Sequence, residues 1–293
     1  MKVLIPTDGS PDAQTALQTA LRFLSPEDRN LDLLCVAPFY RKGAGRKSYE
    51  QRILAETTEI LERARDQIGT DAASVHLLTA IGSPASVIVK RAGDYDLTVI
   101  GAKGIGAGAN VGLGPVASRV ASHSLEPVLI GRELRSETST RILIAADGSC
   151  ASLSAIDTLT ELFDLRNSSV TLMHVEETPW IHLGLEEDWT TADEDEQERS
   201  EAGVLEKEMT REAHVIIEQA RDHLRGSRAA VETMIDEGNP ADEILSECEG
   251  GQYDLIVVGA SGTRDLKHSM LGSVSTKIAW NAPCSVLIVR EPV

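Results

Sequence analysis

One stretch decides the fold: Tyr253-Asp-Leu-Ile-Val-Val-Gly259-Ala-Ser-Gly262-Thr-Arg-Asp-Leu-Lys-His-Ser-Met-Leu-Gly272-Ser273-Val-Ser275-Thr276. The run that ends at Gly259 has the length and the β-branched, apolar character of a buried strand. From Gly272 to Trp280 the sequence contains no helix breaker and begins with hydroxyl residues, which is typical of a helix N-terminus. The stretch therefore predicts a strand, a glycine-bearing loop and a helix in succession.

This order suits the binding of a phosphate group. Main-chain N–H groups and the positive end of a helix can converge on one anion. Gly259, Gly262 and Gly272 would let the backbone approach a ligand closely, and Ser273 and Ser275 add hydroxyl donors. The alternative is that the glycines only end a strand and begin a helix. Three glycines together with hydroxyls favour a ligand loop, although the spacing fits neither a Walker A loop nor a dinucleotide fingerprint.

The pattern Gly259-x2-Gly262-x9-Gly272-Ser273 resembles the nucleotide loop of the universal stress protein family, in its ATP-binding branch. Asp147 and Val175 fall where that family contacts the adenosine half. The resemblance implies ATP as the ligand, with Mg²⁺ accompanying the phosphates, Asp147 bonded to the ribose and the backbone at Val175 bonded to the adenine edge. The implied cofactor-binding residues are Ala145, Ala146, Asp147, Val175, Val258, Gly259, Gly262, Gly272, Ser273, Val274 and Ser275.

The chain contains two copies of one domain, because five patterns recur in the same order in its two halves. The matching segments are 2–10 with 141–149, 31–36 with 170–175, 82–85 with 238–241, 95–101 with 253–259, and 127–131 with 284–289. We therefore expect domains at residues 1–135 (the first half) and 140–293 (the second half), joined near residues 135–140.

The predicted fold class is α/β, with two tandem Rossmann-like, doubly wound domains. In each, apolar runs alternate with helical patterns and give a five-stranded, mostly parallel sheet with four helices. Ligands of such sheets bind at the carboxyl ends of the strands. Asp147, Val175 and Gly259 all lie at predicted strand ends, so we expect them to converge on one site.

The first half departs from the ligand pattern at one position. Gly101, Gly104 and Gly114 keep the spacing, but Pro115 stands where the second half has Ser273. Proline lacks an N–H group, so one phosphate donor and one hydroxyl are lost. Because Asp8 and Val36 remain, we expect an adenosine-shaped cleft that binds nucleotide weakly or not at all.

The net charge of −18 lies entirely in the second part of the chain. Residues 1–137 carry 16 basic and 16 acidic side chains, whereas the remainder carries 12 basic and 30 acidic ones. This argues against nucleic-acid binding, which needs a basic face. An acidic run at 186–198 contains eight acids and no base, opposite a basic segment at 41–47 in the first half. A solvated segment is the usual meaning, with mutual attraction or a cation site as alternatives.

Cysteine usage and hydropathy indicate a cytoplasmic protein. The four cysteines lack the spacing of a metal or redox pair, and Cys35 and Cys284 lie in or beside apolar runs as core fillers would. No charged and apolar leader precedes the first strand, and no apolar run approaches the roughly 20 residues of a membrane span.

The resemblance favours an ATP-binding regulatory or stress-response protein with little or slow hydrolysis. A slow ATP hydrolase and an interaction scaffold with incidental nucleotide are the alternatives. Each half ends in an apolar strand that would otherwise be an open edge, so we expect the two halves to pair as a pseudo-dimer. The sequence leaves open a homodimer of whole chains and the identity of a protein partner.

Overall fold

The computed structural model describes residues 1–25, 29–38, 46–69, 75–105, 112–134, 139–177, 196–262 and 271–291. The first half contains β1 (Lys2–Pro6), α1 (Pro11–Phe23), β2 (Asn30–Ala37), α2 (Arg46–Asp66), β3 (Val75–Ile81), α3 (Pro84–Ala92), β4 (Leu97–Gly101), α4 (Pro115–His123) and β5 (Val128–Gly131). The second half contains β6 (Thr140–Ala145), α5 (Cys150–Leu162), β7 (Ser168–Glu176), α6 (Glu196–His223), β8 (Ala230–Glu237), α7 (Pro240–Gly251), β9 (Leu255–Gly259), α8 (Ser273–Asn281) and β10 (Ser285–Val289).

The strands form one ten-stranded sheet in the order β3-β2-β1-β4-β5-β10-β9-β6-β7-β8. Within each half all neighbouring strands are parallel. The order reverses beside the first strand of each half, as in doubly wound sheets. The predicted fold class is therefore confirmed, with five strands and four helices in each described half.

Both faces of the sheet are covered, as the continuous apolar strands predicted. Val3 and Ile5 of β1 lie in one hydrophobic core, and Leu4 between them lies in the other. Helices α1, α2, α5 and α6 cover the first core, while α3, α4, α7 and α8 cover the second. Each core contains residues from both halves of the chain, so the sheet is the common layer that holds the halves together.

The two halves join through their last strands. β5 and β10 pair antiparallel, with Leu129 opposite Leu287, and every residue of both strands is buried. Neither strand is an open edge, as the apolar sequences predicted. A second contact lies outside the ten strands, where Leu24 forms an isolated antiparallel β-bridge with Phe163. The ring centroids of Phe23 and Phe163 lie 6.2 Å apart. The β5–β10 and Leu24–Phe163 pairings each join matching positions of the two halves.

Two arginines make reciprocal hydrogen bonds across this junction, each to main-chain carbonyls of the other half. The Arg132 guanidinium of the first half donates to the carbonyl of Ala279 in the last turn of α8 (2.5 Å) and to that of Cys284, just before β10 (3.2 Å). The Arg290 guanidinium donates to Ser122 (2.8 Å) and Ser124 (2.6 Å), at the end of α4. Each arginine thus satisfies carbonyls at a helix C-terminus of the other half, where the helix dipole favours a cation. Burial lowers the pKa of both arginines.

Helix α6 begins at Glu196, within the acidic run of residues 186–198. Cys35 and Cys284 are buried in the cores as predicted, and burial raises the pKa of Cys35 to about 11.

Four segments named in the sequence analysis lie outside the described residues. They are most of the acidic run (186–195), part of the basic segment (41–45), the linker (135–138) and the central loop residues 263–270. Among described helices, none is long and apolar enough to cross a membrane.

The arginine pair gives a stability prediction. Arg132→Ala and Arg290→Ala should each lower the free energy of unfolding by about 1–3 kcal/mol, because each leaves carbonyls at a helix end without a charged donor. Arg225→Ala is the control, since the Arg225 side chain is 76 % exposed and forms an ion pair with Asp222, three residues before it. Its effect should stay within about 0.5 kcal/mol. Urea denaturation measures all three, and an equal effect at Arg225 would contradict the prediction.

Candidate functional site

A cleft of about 800 Å³ opens at the carboxyl ends of β6, β7 and β9. All eleven residues predicted from the sequence line this one cleft: Ala145, Ala146, Asp147, Val175, Val258, Gly259, Gly262, Gly272, Ser273, Val274 and Ser275. Segments more than 100 residues apart in the sequence therefore meet, as expected at the switch point of a doubly wound sheet. That these residues bind a nucleotide stays a prediction.

The Asp147 carboxylate is held by a tight turn between β6 and α5. Gly148 adopts a left-handed conformation with φ +74°, and the Ser149 N–H donates to Asp147 Oδ1 at 3.0 Å. The Ser149 hydroxyl accepts the Ser152 N–H at 3.1 Å, which caps α5. The same hydroxyl lies 3.3 Å from the carbonyl of Ser261 and donates to it, so the turn is tied to the loop after β9.

Gly262 lies against this carboxylate. A Cβ atom at Gly262 would stand 2.8 Å from Asp147 Oδ2. Any other residue would make the carboxylate move. The predicted close approach of a ligand to the Gly262 backbone stays a prediction, since the close neighbour here is a side chain of the protein itself.

The N-terminus of α8 forms another wall of the cleft. The first intrahelical bond runs from the Thr276 N–H to the carbonyl of Gly272, at 2.9 Å. The N–H groups of Ser273, Val274 and Ser275 precede that bond and have no acceptor within the helix. The Gly272 N–H donates to the carbonyl of Ala260 at 2.7 Å and is not available to a phosphate, and close approach of a ligand to Gly272 stays a prediction.

Ser275 also has a different role from the one predicted. Its hydroxyl is buried and donates to the carbonyl of Gly259 at 2.5 Å, so it joins α8 to the end of β9. The first half has Ala117 at the matching position and lacks this bond. Of the two predicted hydroxyl donors, Ser273 is the one that stays a candidate for contact with a ligand.

The reason for glycine at position 259 is helix packing. A Cβ atom there would lie 2.7 Å from the Ser152 nitrogen and 2.8 Å from the Ala151 carbonyl carbon, inside α5. A Cβ at the matching Gly101 would lie 2.5 Å from the Asp12 carbonyl oxygen in α1. This packing accounts for glycine at position 259 without a ligand, and close approach of a ligand to Gly259 stays a prediction. Both glycines allow the first helix of their half to approach the strand end.

Sequence reasoning missed more than half of the cleft lining. The missed residues are Ser152, Met173, His174, Glu176, Glu177, Met209, Glu212, Ala213, Ile216, Pro240, Ile244 and Ser261. The predicted residues came from strand ends and glycine motifs, whereas many of the missed ones lie on helices α6 and α7. The amphipathic pattern of α6 identifies its buried face, but it does not show that this face extends to a ligand site.

The first half forms a smaller cleft of about 310 Å³ at the equivalent strand ends. Both oxygens of Asp8 accept main-chain bonds there, from the N–H of Ser10 and the N–H of Ile105, each at 3.0 Å. Pro115 begins α4 and lines the cleft without offering an N–H group. The helix end that faces the larger cleft is thus altered in the smaller one.

Comparison with known proteins agrees with this architecture of two matching α/β halves. The sequence model of the universal stress protein family matches residues 1–132 and again residues 138–290. Universal stress protein YxiE of Bacillus subtilis is 32 % identical over 160 residues, covering 51 % of this chain and 98 % of that protein. A universal stress protein of Mycolicibacterium smegmatis is 23 % identical over 304 residues, covering 98 % and 96 %.

A crystal structure of a universal stress protein from Archaeoglobus fulgidus has the same fold over nearly the whole length. The TM-score is 0.67 at 19 % identity, with 99 % of this chain and 98 % of that chain covered. The fold and the repeated match define a tandem protein with two copies of one α/β unit. The chain belongs to the universal stress protein family.

The packing of Gly259 gives a prediction. Gly259→Ala and Gly101→Ala should each destabilise the fold by about 1–3 kcal/mol, because the added methyl group overlaps the main chain of a helix. Gly250→Ala is the matched control. Gly250 lies in α7 and a Cβ there meets nothing within 4 Å, so alanine should be neutral or stabilising by up to about 1 kcal/mol. Thermal and urea denaturation measure these changes in stability. An unchanged stability of Gly259→Ala would contradict the packing role of Gly259.

Proposed function

We propose that this protein binds ATP in the cleft of its second half and acts as a nucleotide-dependent regulatory protein of the stress response. One observation carries the proposal. Asp147, Val175 and the N-terminus of α8 face a single cleft large enough for a nucleotide. The strand ends, the turn and the helix start supply different kinds of group, and each suits a different part of ATP.

The phosphates would bind at the start of α8. The N–H groups of Ser273, Val274 and Ser275 lie in the first turn, where the helix dipole is positive. The Ser273 hydroxyl adds a further donor. Anion binding at such a site needs no basic side chain, because main-chain N–H groups and the dipole act together.

The adenosine would extend from there toward β7. The Asp147 carboxylate, fixed by the Ser149 N–H, would accept a hydrogen bond from a ribose hydroxyl. The backbone at Val175 would bond to the edge of the adenine. Apolar side chains of Met173, Ile216 and Ile244 line the same cleft and would cover the faces of the base.

Mg²⁺ would enter with the nucleotide. Within the described part of the chain there is no group of three or more His, Cys, Asp or Glu side chains arranged to hold a metal. The cleft fits the usual Mg²⁺ arrangement, in which the phosphates and water supply most ligands and the protein supplies one or two carboxylates. Asp147 is the carboxylate that could be such a ligand.

The two halves would then have different roles. The second half (residues 140–293) binds ATP, whereas the first half (residues 1–135) completes an intramolecular pseudo-dimer. Pro115 removes an N–H donor and a hydroxyl at the helix start, so the smaller cleft lacks features proposed for phosphate binding. Regulation by bound nucleotide does not require turnover, and fast hydrolysis is not part of the proposal.

The direct test is to identify and count the bound nucleotide. Protein purified without added nucleotide is denatured and the released small molecules are identified by mass spectrometry. Isothermal titration calorimetry of the emptied protein with Mg²⁺-ATP should then give one site per chain. Two sites of equal affinity would contradict the asymmetry. If no nucleotide is released and no heat of binding is measured, the proposed function is contradicted.

A matched pair of variants tests the phosphate contact. Ser273→Pro removes one N–H and one hydroxyl and should weaken ATP binding by about 10-fold to 100-fold, the effect of losing a hydrogen bond to a charged group. Proline begins α4 at the matching position, so the helix start accepts it and the melting temperature without ATP should stay near the wild-type value.

Pro115→Ser is the control for that substitution, because it makes the opposite change in the first half. It should leave the stoichiometry and affinity of ATP binding unchanged. Equal ATP affinity of Ser273→Pro and the wild type would show that α8 does not hold the phosphates.

A further inference from the structure

The cleft contains an ionisable side chain that the protein leaves unsatisfied. Glu176, the last residue of β7, is 9 % exposed and lines the cleft. Its Oε1 atom is buried, and among the described residues it has no hydrogen-bond partner. The main chain at this residue is fixed, since the Glu176 carbonyl accepts the Gly238 N–H at 3.0 Å. The atom without a partner among the described residues is therefore Oε1 of the carboxylate.

Such an atom is costly for the protein on its own. A buried carboxylate oxygen without a donor has lost its hydration and gained nothing in return. Nearly all buried polar groups in proteins have a partner, so an exception that lines a cleft indicates a donor supplied from outside. The first half has no such feature, because Ala37 occupies the matching position.

The position of Glu176 within the cleft indicates which part of a ligand it faces. β7 is separated from β9 by β6 alone, so the strand ends at Glu176 and Gly259 are two strand spacings, roughly 10 Å, apart. Glu177 and Glu212 line the cleft as well, whereas the start of α8 follows β9. One end of the cleft thus offers carboxylates and the other offers N–H donors. A ligand complementary to this cleft has an anionic group at the α8 end and a hydrogen-bond donor at the β7 end.

We propose that Glu176 determines base specificity by accepting a hydrogen bond from the exocyclic 6-amino group of adenine. This inference rests on the proposed binding of ATP. Adenine presents an N–H donor at that position, whereas hypoxanthine presents a carbonyl oxygen that would face the carboxylate without a proton between them. Glu176 therefore selects 6-amino over 6-oxo purines, next to Val175, whose backbone also contacts the base edge.

The test compares Mg²⁺-ATP with Mg²⁺-ITP, in which a 6-oxo group replaces the 6-amino group and N1 carries a hydrogen. The wild type should bind ATP at least about tenfold more tightly than ITP. Glu176→Ala, which copies Ala37 of the first half, should weaken ATP binding about tenfold and leave ITP binding nearly unchanged, so the preference for ATP falls by about the same factor. Glu176→Gln should reduce the preference too, because an amide can turn either its oxygen or its NH₂ group toward the base.

A second measurement separates recognition from a structural role. Without nucleotide, Glu176→Gln should raise the melting temperature, because it removes a buried charge that has no partner. Glu237→Gln is the control. Glu237 lies opposite Glu176 on β8, is exposed and does not line the cleft, so neither the preference nor the melting temperature should change.

The outcomes are distinguishable. If the wild type binds ATP but Glu176→Ala keeps the ATP preference, or loses affinity for ATP and ITP equally, the role of Glu176 is overturned and ATP binding stands. A lower melting temperature for Glu176→Gln would show a structural carboxylate and would also overturn it. If the wild type binds neither nucleotide, the proposed function falls together with this inference.

Discussion

The cleft depends on the close contact between Gly259 and the first turn of α5. A side chain at this position would overlap Ala151 and Ser152, so only glycine lets α5 begin directly above the end of β9. The carbonyl of the same residue accepts the buried Ser275 hydroxyl, which fixes the start of α8. The turn that carries Asp147 precedes α5, and its Ser149 hydroxyl reaches Ser261 beyond β9. One residue without a side chain thus places the carboxylate and the helix N-terminus beside each other.

The two halves share the scaffold and differ in the groups that face the ligand. Gly101 and Gly259 serve the same packing, and Arg132 and Arg290 make reciprocal contacts across the junction. Three of the differences bear on the polar groups at the strand ends and helix starts: Pro115 and Ser273, Ala117 and Ser275, Ala37 and Glu176. Contacts that hold the sheet and the junction together are needed by both halves. Groups that face the cleft are under no such constraint, so one copy can lose them while the fold is kept.

The sequence was sufficient for the elements that depend on local patterns. Apolar runs and helix starts located the strands, and their repetition gave the duplicated α/β fold. It failed where a residue's role depends on a distant contact. Gly259 is glycine because of α5, the Gly272 N–H is occupied by Ala260, and α6 supplies a cleft wall that no motif marks. The burial of Glu176 was equally invisible, since a glutamate at a strand end normally reaches solvent.

The acidic character of the second half is compatible with an anionic ligand because the relevant charges act at short range. At physiological ionic strength a charge is screened over about 8 Å, so exposed carboxylates beyond that distance contribute little at the phosphates. The N–H groups at the start of α8 would contact the phosphates directly, where screening is weak. The carboxylates that line the cleft include Glu176 at the β7 side, roughly 10 Å from the end of β9 by strand spacing. Because Glu176 is buried, its charge is screened less than that of an exposed carboxylate, so it disfavours phosphates at the β7 side and favours N–H donors there. The charge distribution would therefore fix the direction in which a nucleotide lies in the cleft, which the net charge of the chain does not reveal.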